Sequence, residues 1–96
     1  MRLVWLVAFV AVAERGSFTV GANTISKHQG SVSRYVGQIQ RWLGKPLIES
    51  YQPVMLTPEG EAFLPVARQV IALLNDARHI ATPSIAPIDP KSIRIS

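Results

Sequence analysis

Over most of its length the chain spaces its apolar residues with a helical period. Residues 28–44 read HQGSVSRYVGQIQRWLG, in which Val32, Val36, Ile39 and Leu43 follow one another at intervals of 4, 3 and 4. That is one face of a helix, and Gly44 is its stop. The remaining surface of the helix is poorly suited to stability alone. It carries Gly30, Ser31, Ser33, Gly37, three glutamines and no carboxylate, although each interior glycine costs about 0.5–1 kcal/mol relative to alanine. Its composition calls for some other use of that face.

Upstream, Ser17 is suited to cap a short helix over Phe18 to Ile25, with Phe18, Ala22 and Ile25 on its buried side. Ser26, Lys27 and His28 then connect it to the longer helix. Two short helices so joined form a helix-turn-helix, whose second helix enters a DNA major groove. Small helical bundles contain such pairs too, so spacing alone leaves both readings open. Downstream, Leu47-Ile48 and Val54-Met55-Leu56 read as two strands around Tyr51-Gln52-Pro53, a hairpin that would make the unit a winged helix.

Thr57 should cap the next helix, with Pro58 at its first position and Glu59 complementing its dipole. The helix is predicted from Pro58 to about Ile80, with Pro65 kinking its beginning. Phe63, Val66, Val70, Leu73, Ala77 and Ile80 alternate by 3 and 4 in a coiled-coil seam, and Leu64, Ala67, Ile71 and Leu74 form a second stripe beside it. Two stripes on one long helix call for a surface beyond its own domain, which points to homodimerisation, a core helix being the alternative. From Ala81 the chain reads ATPSIAPIDPKSIRIS, a proline-rich linker. The expected architecture is mostly α: a winged helix-turn-helix of three short helices and a two-stranded β-hairpin over 1–57, a linker and dimerisation helix over 58–80, and a linker over 81–96.

The first residues, MRLVWLVAFVAVAERG, combine a basic start, an apolar run from Leu3 to Ala13 and an Ala11-Val12-Ala13 cleavage-like triplet. The run is too short to span a bilayer. Leu6, Phe9, Val10 and Ala13 would also form the stripe of a core helix, so the segment alone leaves signal peptide and buried helix open.

Composition narrows the function. A chain of 96 residues, 48% hydrophobic and 17% charged, suits one small domain with a modest core. Its net charge of +4 favours acidic partners. The charge is unevenly placed, since Arg15, Lys27, Arg34, Arg41 and Lys45 lie in a stretch from Arg15 to Ile48 that has no acidic residue. With no cysteine there is no disulfide, thiol nucleophile or cysteine zinc site. Ser31, Ser33 and His28 lie close in sequence but lack a G-x-S-x-G elbow and any nearby carboxylate. Gly16 and Gly21 have phosphate-loop spacing, yet Ala22-Asn23 stands where Lys-Ser/Thr is needed, and His28 and His79 make no metal site by spacing. The expectation is a binding protein with no catalytic residue, metal or cofactor.

Three stretches, FVAVAERGSFT (9–19), QGSVSRYVGQIQRWLGKPLIE (29–49) and LTPEGEAFLPVARQVI (56–71), resemble the N-terminal DNA-binding domain of LysR-type transcriptional regulators. The resemblance covers roughly residues 3–80 and implies that the apolar N-terminal run is the domain's first helix. It implies binding of double-stranded DNA at interrupted palindromes by dimers or tetramers, a cytoplasmic, nucleoid-associated location, and a small effector sensed only through a second domain absent from this chain. KSIRIS resembles the first strand of that domain.

By position, the resemblance assigns DNA contacts to Gln29, Ser33 and Arg34, close backbone approach to Gly30 and Ser31, and supporting contacts to Lys27, Gln38 and Arg41. Tyr35 is a further candidate for such contacts that could equally be a packing residue, and Trp42 reads as a packing residue. The sequence departs from the family at His28, where serine is common and which is a poorer cap, at Gly30, where proline is common, and at Ser50, where arginine is common. The wing, ESYQPVM, has no positive charge, so affinity is expected to rest on the helix more than on the wing. A winged-helix interaction or dimerisation module that no longer binds DNA specifically is the competing reading.

Overall fold

The computed structural model describes the backbone of residues 1–81 and the side chains of residues 1–77; the side chains of His79 and Ile80 and the linker and strand expected beyond residue 81 lie outside the described residues. The element order is α1 (Leu3–Arg15), α2 (Phe18–Thr24), α3 (Gln29–Leu43), β1 (Ile48–Tyr51), β2 (Val54–Leu56) and α4 (Pro58–Ala81). This is a winged helix-turn-helix followed by a long helix.

Helix α1 is the centre of the fold and packs against α2, α3 and α4. Contact on several sides explains its almost uninterrupted apolar run. Leu6, Ala8, Phe9, Ala11 and Val12 are buried, whereas Val10 and Ala13, expected in the core stripe, are half-buried. The helix ends at Gly16, whose φ of 68° is a left-handed conformation that glycine adopts without steric cost.

Ser17 Oγ accepts a hydrogen bond from the Val20 amide at 3.2 Å and caps α2 as its sequence predicts. Gly21 has the structural role that its phosphate-loop spacing concealed. A Cβ there would lie 3.0 Å from the Val12 backbone, so the glycine permits the close crossing of α1 and α2. Helix α2 stops at Thr24, one residue short of expectation, and the turn passes through Ser26 at φ 57°. Val32, Val36 and Ile39 of α3 are then fully buried under α1.

The wing is two antiparallel strands, with Ser50 opposite Met55 and Tyr51 opposite Val54. The first strand differs from the expected Leu47-Ile48: it begins at Ile48 and runs through Tyr51, leaving Gln52 and Pro53 as the turn. Leu47 precedes the strand, where Gln40 Oε1 accepts its N–H at 2.9 Å and its carbonyl accepts the Thr57 N–H at 3.0 Å. Tyr51 is drawn into the strand by stacking on Phe18, with ring centroids 5.4 Å apart.

Thr57 starts α4. Its Oγ1 accepts from the Gly60 amide at 2.9 Å and donates to the Pro46 carbonyl at 2.7 Å. Helix α4 runs through Pro65 and separates the two expected stripes. Leu64, Ala67 and Ile71 pack on the core of their own domain, whereas Leu74, the last residue of that stripe, is exposed. Phe63 joins the packed residues, its ring centroid 5.8 Å from that of Phe9. Val66, Val70 and Leu73 remain exposed. An ion pair between Arg68 Nε and Glu14 Oε2 at 2.6 Å joins α4 to α1 at the surface.

Candidate nucleic-acid interface

Four-residue spacing divides the outward side of α3 into two adjacent ridges. Gln29, Ser33, Gly37 and Arg41 form the ridge beside the wing, and Gly30, Arg34 and Gln38 form the next. Gln29, Gly30, Ser33, Arg34 and Arg41 are exposed, as is Lys27 in the preceding turn; Ser31 and Gln38 are half-buried.

The first ridge and the wing are two walls of one groove. Gln29 and Ser33 share a cleft of about 260 Å³ with Ser17, the cap of α2, with Thr19 in its first turn, and with Gln52 and Pro53 of the wing tip. Farther along, Gly37, Gln40 and Arg41 line a second concavity with Lys45 and Tyr51. Tyr51 lines both. Gln29 and Arg41 thus lie toward opposite ends of a surface on which the uncharged wing tip stands closest to Gln29 and Ser33.

Its electrostatics are one-sided. Helices α2 and α3 and the turn between them contain no carboxylate. Among the described residues the ion pair is Arg68–Glu14, which joins α4 to α1, and Lys27, Arg34 and Arg41 enter none. Unpaired cations of this kind are available to an anionic partner.

His28 stands where the family pattern has serine and still serves as the cap of α3, its Nδ1 accepting from the Gly30 amide at 3.1 Å. A Cβ at position 30 would sit 3.3 Å from that nitrogen, so glycine leaves room for the imidazole. The two departures from the family pattern are one arrangement: a proline at position 30 would have no N–H for His28 to accept.

Two residues that the apolar spacing does not single out prove informative. The Thr19 hydroxyl donates to Gln29 Oε1 at 3.0 Å across ten residues of chain, a pairing visible only once α2 and α3 are folded against each other. Gln40, which from sequence belongs with the exposed glutamines, instead ties the end of α3 to β1, accepting from Leu47 and Ile48. Trp42 also differs from expectation and is 56% exposed, while Tyr35 packs against the core. Position 42 extends the Tyr35–Gln38 stripe at the core's margin, which leaves the core toward the end of α3.

Among the described residues there is no group of three His, Cys, Asp or Glu side chains placed to hold a metal ion. No described helix is long and apolar enough to cross a membrane.

A family model described as bacterial regulatory helix-turn-helix protein, lysR family, matches residues 3–61. The chain is 44% identical over 70 residues to the HTH-type transcriptional regulator BlaA of Streptomyces cacaoi, covering 71% of this chain and 21% of BlaA. It is 37% identical over 79 residues to the HTH-type transcriptional regulator ShiR of Corynebacterium glutamicum, covering 81% of this chain and 27% of ShiR. The chain therefore spans 21% and 27% of the length of these relatives. Among solved structures it is similar to the BenM DNA-binding domain in complex with benA site 1 DNA, at 30% identity and a TM-score of 0.77, with both chains covered completely. It is also similar to the CbnR DNA-binding domain in a DNA complex, at 29% identity and a TM-score of 0.79, covering 84% of this chain and 94% of that one.

Proposed function

Because the chain belongs to the lysR family of bacterial regulatory helix-turn-helix proteins, we propose that it binds double-stranded DNA sequence-specifically through α3 in the major groove. The observation that carries this is the acid-free ridge pair on α3, which presents Gln29, Ser33 and Arg34 beside unpaired Lys27 and Arg41. Similarity to DNA-binding domains solved with their DNA supports the same reading.

The residues divide the work by chemistry. The Gln29 amide reads a base edge, Ser33 bonds a phosphate, and Arg34 reaches guanine or phosphate. Gly30 and Ser31 keep the start of the helix slim where it meets the duplex. Gln38 supports these contacts, while Lys27 and Arg41 act through phosphate charge.

Residues 1–57 form the DNA-binding unit and 58–80 a linker helix that pairs two copies through Val66, Val70 and Leu73, with Ala77 continuing the seam. The two-fold pair would then place its recognition helices on the half-sites of an interrupted palindrome, with tetramers formed by the longer protein. The setting is the bacterial cytoplasm at the nucleoid, the role is binding rather than catalysis, and a small effector acts through a domain outside this chain.

The test is selection of bound duplexes from a random library, followed by titration of the selected duplex at increasing salt. The expected result is a defined half-site sequence and an affinity that falls steeply, with a log–log slope of about −0.9 per phosphate neutralised. Failure to bind any duplex at low salt, or an affinity indifferent to salt, would overturn the reading in favour of a protein-interaction module.

A further inference from the structure

We propose that Thr19 is a specificity-determining residue, whose hydroxyl fixes the Gln29 amide so that Gln29 enters the major groove as a hydrogen-bond donor. This deepens the DNA-binding reading above and rests on it.

Gln29 is the first residue of α3, and its side chain lies in the cleft between helix and wing with Ser33 and Gln52. Thr19 stands in the first turn of α2 and donates to Gln29 Oε1 at 3.0 Å. Its support is rigid. Ser17 caps the same turn through the Val20 amide, and the neighbouring Phe18 is buried and stacked on Tyr51. Thr19 thus stands on a packed turn, and its exposed hydroxyl holds the acceptor end of the exposed Gln29 amide toward α2.

A primary amide has one acceptor oxygen and two N–H donors. An unrestrained glutamine presents both ends to a base and matches adenine, which offers N7 as acceptor and N6–H₂ as donor. With Oε1 turned to Thr19, the Nε2 donors are the end left for the groove. Guanine, with O6 and N7, and thymine, with O4, present acceptors there and no donor. Thr19 thereby shifts the base that Gln29 reads from adenine toward guanine or thymine.

The experiment is duplex selection from a random library by the 96-residue chain and by the Thr19→Val, Thr19→Ala, Thr19→Ser and Gln29→Ala variants, with the thermal midpoint of each recorded. Gln29→Ala identifies the base position in each half-site that Gln29 reads, as the one whose preference it abolishes. At that position the unsubstituted chain should prefer guanine or thymine. Thr19→Val and Thr19→Ala should lose that preference by about fivefold to tenfold, the scale of one base hydrogen bond, or move it to adenine. Thr19→Ser should retain it, and none of the Thr19 variants should alter the salt slope. Using both Val and Ala keeps the result independent of either variant's folding.

An adenine preference in the unsubstituted chain, an unchanged preference in Thr19→Val and Thr19→Ala, or a Gln29→Ala variant that alters no position would overturn the proposal. So would an equal loss of affinity on every duplex with a shallower salt slope, the signature of a Thr19–phosphate contact. If the unsubstituted chain binds no duplex, the DNA-binding reading fails first and this inference with it.

Discussion

Gln40 Oε1 accepts the Leu47 N–H at 2.9 Å and also the Ile48 N–H at 3.1 Å, so a single side chain on α3 sets where the wing begins. Removing it leaves two part-buried donors without partners. Gln40→Ala should therefore lower unfolding free energy by about 1–3 kcal/mol, the usual cost of an unsatisfied buried group, as read by urea denaturation. Gln38, two residues away on the candidate DNA ridge, is the control. Gln38→Ala removes a half-buried side chain that makes no hydrogen bond among the described residues, so it should destabilise less than Gln40→Ala while weakening duplex binding. Equal destabilisation by both variants would show that Gln40 has no special part in holding the wing.

His28 and Gly30 should behave as a coupled pair. His28→Ala removes the cap and should cost about 0.5–2 kcal/mol, whereas His28→Ser restores one by accepting from the first turn. Gly30→Pro deletes the N–H that His28 uses, yet proline is compatible with a first helical turn and restricts the unfolded chain. The double variant His28→Ser with Gly30→Pro should therefore be at least as stable as the starting chain, although Gly30→Pro alone is destabilising. Additive effects in this double-mutant cycle would refute the coupling.

These cases show what could be read from the sequence and what could not. The apolar spacing located α2, α3 and α4, because burial on one face imposes a period that survives in a single chain, whereas the uniformly apolar α1 fits several templates and was marked as a helix only by the family pattern. The spacing misjudged features that depend on two elements meeting. Gly21 is explained by the Val12 backbone opposite it, and Gln40 by the backbone of Leu47. Leu64, Ala67 and Ile71 of the second stripe of α4 pack on the core around α1, a surface the helix's own periodicity does not reveal. The family pattern marked Gln29, Ser33 and Arg34, whereas Thr19 becomes apparent only from the approach of α2 to α3.

Glycine positions on the two faces should respond in opposite directions. A Cβ at Gly60 would overlap the Leu47 carbonyl, and the backbone at that contact is fixed by the Thr57 cap. Gly60→Ala should thus separate α4 from the wing base and lower the thermal midpoint. At Gly37 a Cβ meets nothing within 4 Å, so Gly37→Ala should stabilise α3 by about 0.5–1 kcal/mol. If that face approaches DNA closely, the same variant should bind its selected duplex more weakly. A Gly37→Ala variant that is more stable and binds equally well would show that the slimness of this ridge has no role in binding.

Arg34 and Gln52 separate the contributions of helix and wing. Arg34 carries an unpaired charge on the second ridge of α3, while the exposed wing tip offers Gln52 and no cation. Arg34→Ala should reduce affinity and make the log–log salt slope shallower by about one phosphate's worth, with altered base preference if the guanidinium reads guanine. Lys27→Ala should reduce the slope similarly while leaving preference unchanged. Gln52→Ala should cost less than Arg34→Ala and leave the slope alone; comparable losses from the two would show that the wing matters as much as the helix.

The seam on α4 is the last test, because Val66, Val70 and Leu73 are exposed beside Leu64, Ala67 and Ile71, which already pack on the domain core. Leu73 is 66% exposed, so Leu73→Glu costs the isolated domain little, whereas in a paired helix it would bury a carboxylate against apolar neighbours. Light scattering coupled to size exclusion should find the unsubstituted chain dimeric and Leu73→Glu shifted to monomer, with its thermal midpoint less concentration-dependent. On DNA, the dimer should protect two half-sites centred roughly 34–36 Å apart, or a multiple of that spacing, and Leu73→Glu only one at a time. Ala67→Glu supplies the contrast, since Ala67 is fully buried on the domain side and its substitution should unfold the domain itself. An unsubstituted chain that is monomeric on and off DNA would remove the seam's proposed role, and equal destabilisation by Leu73→Glu and Ala67→Glu would place Leu73 in the domain core instead.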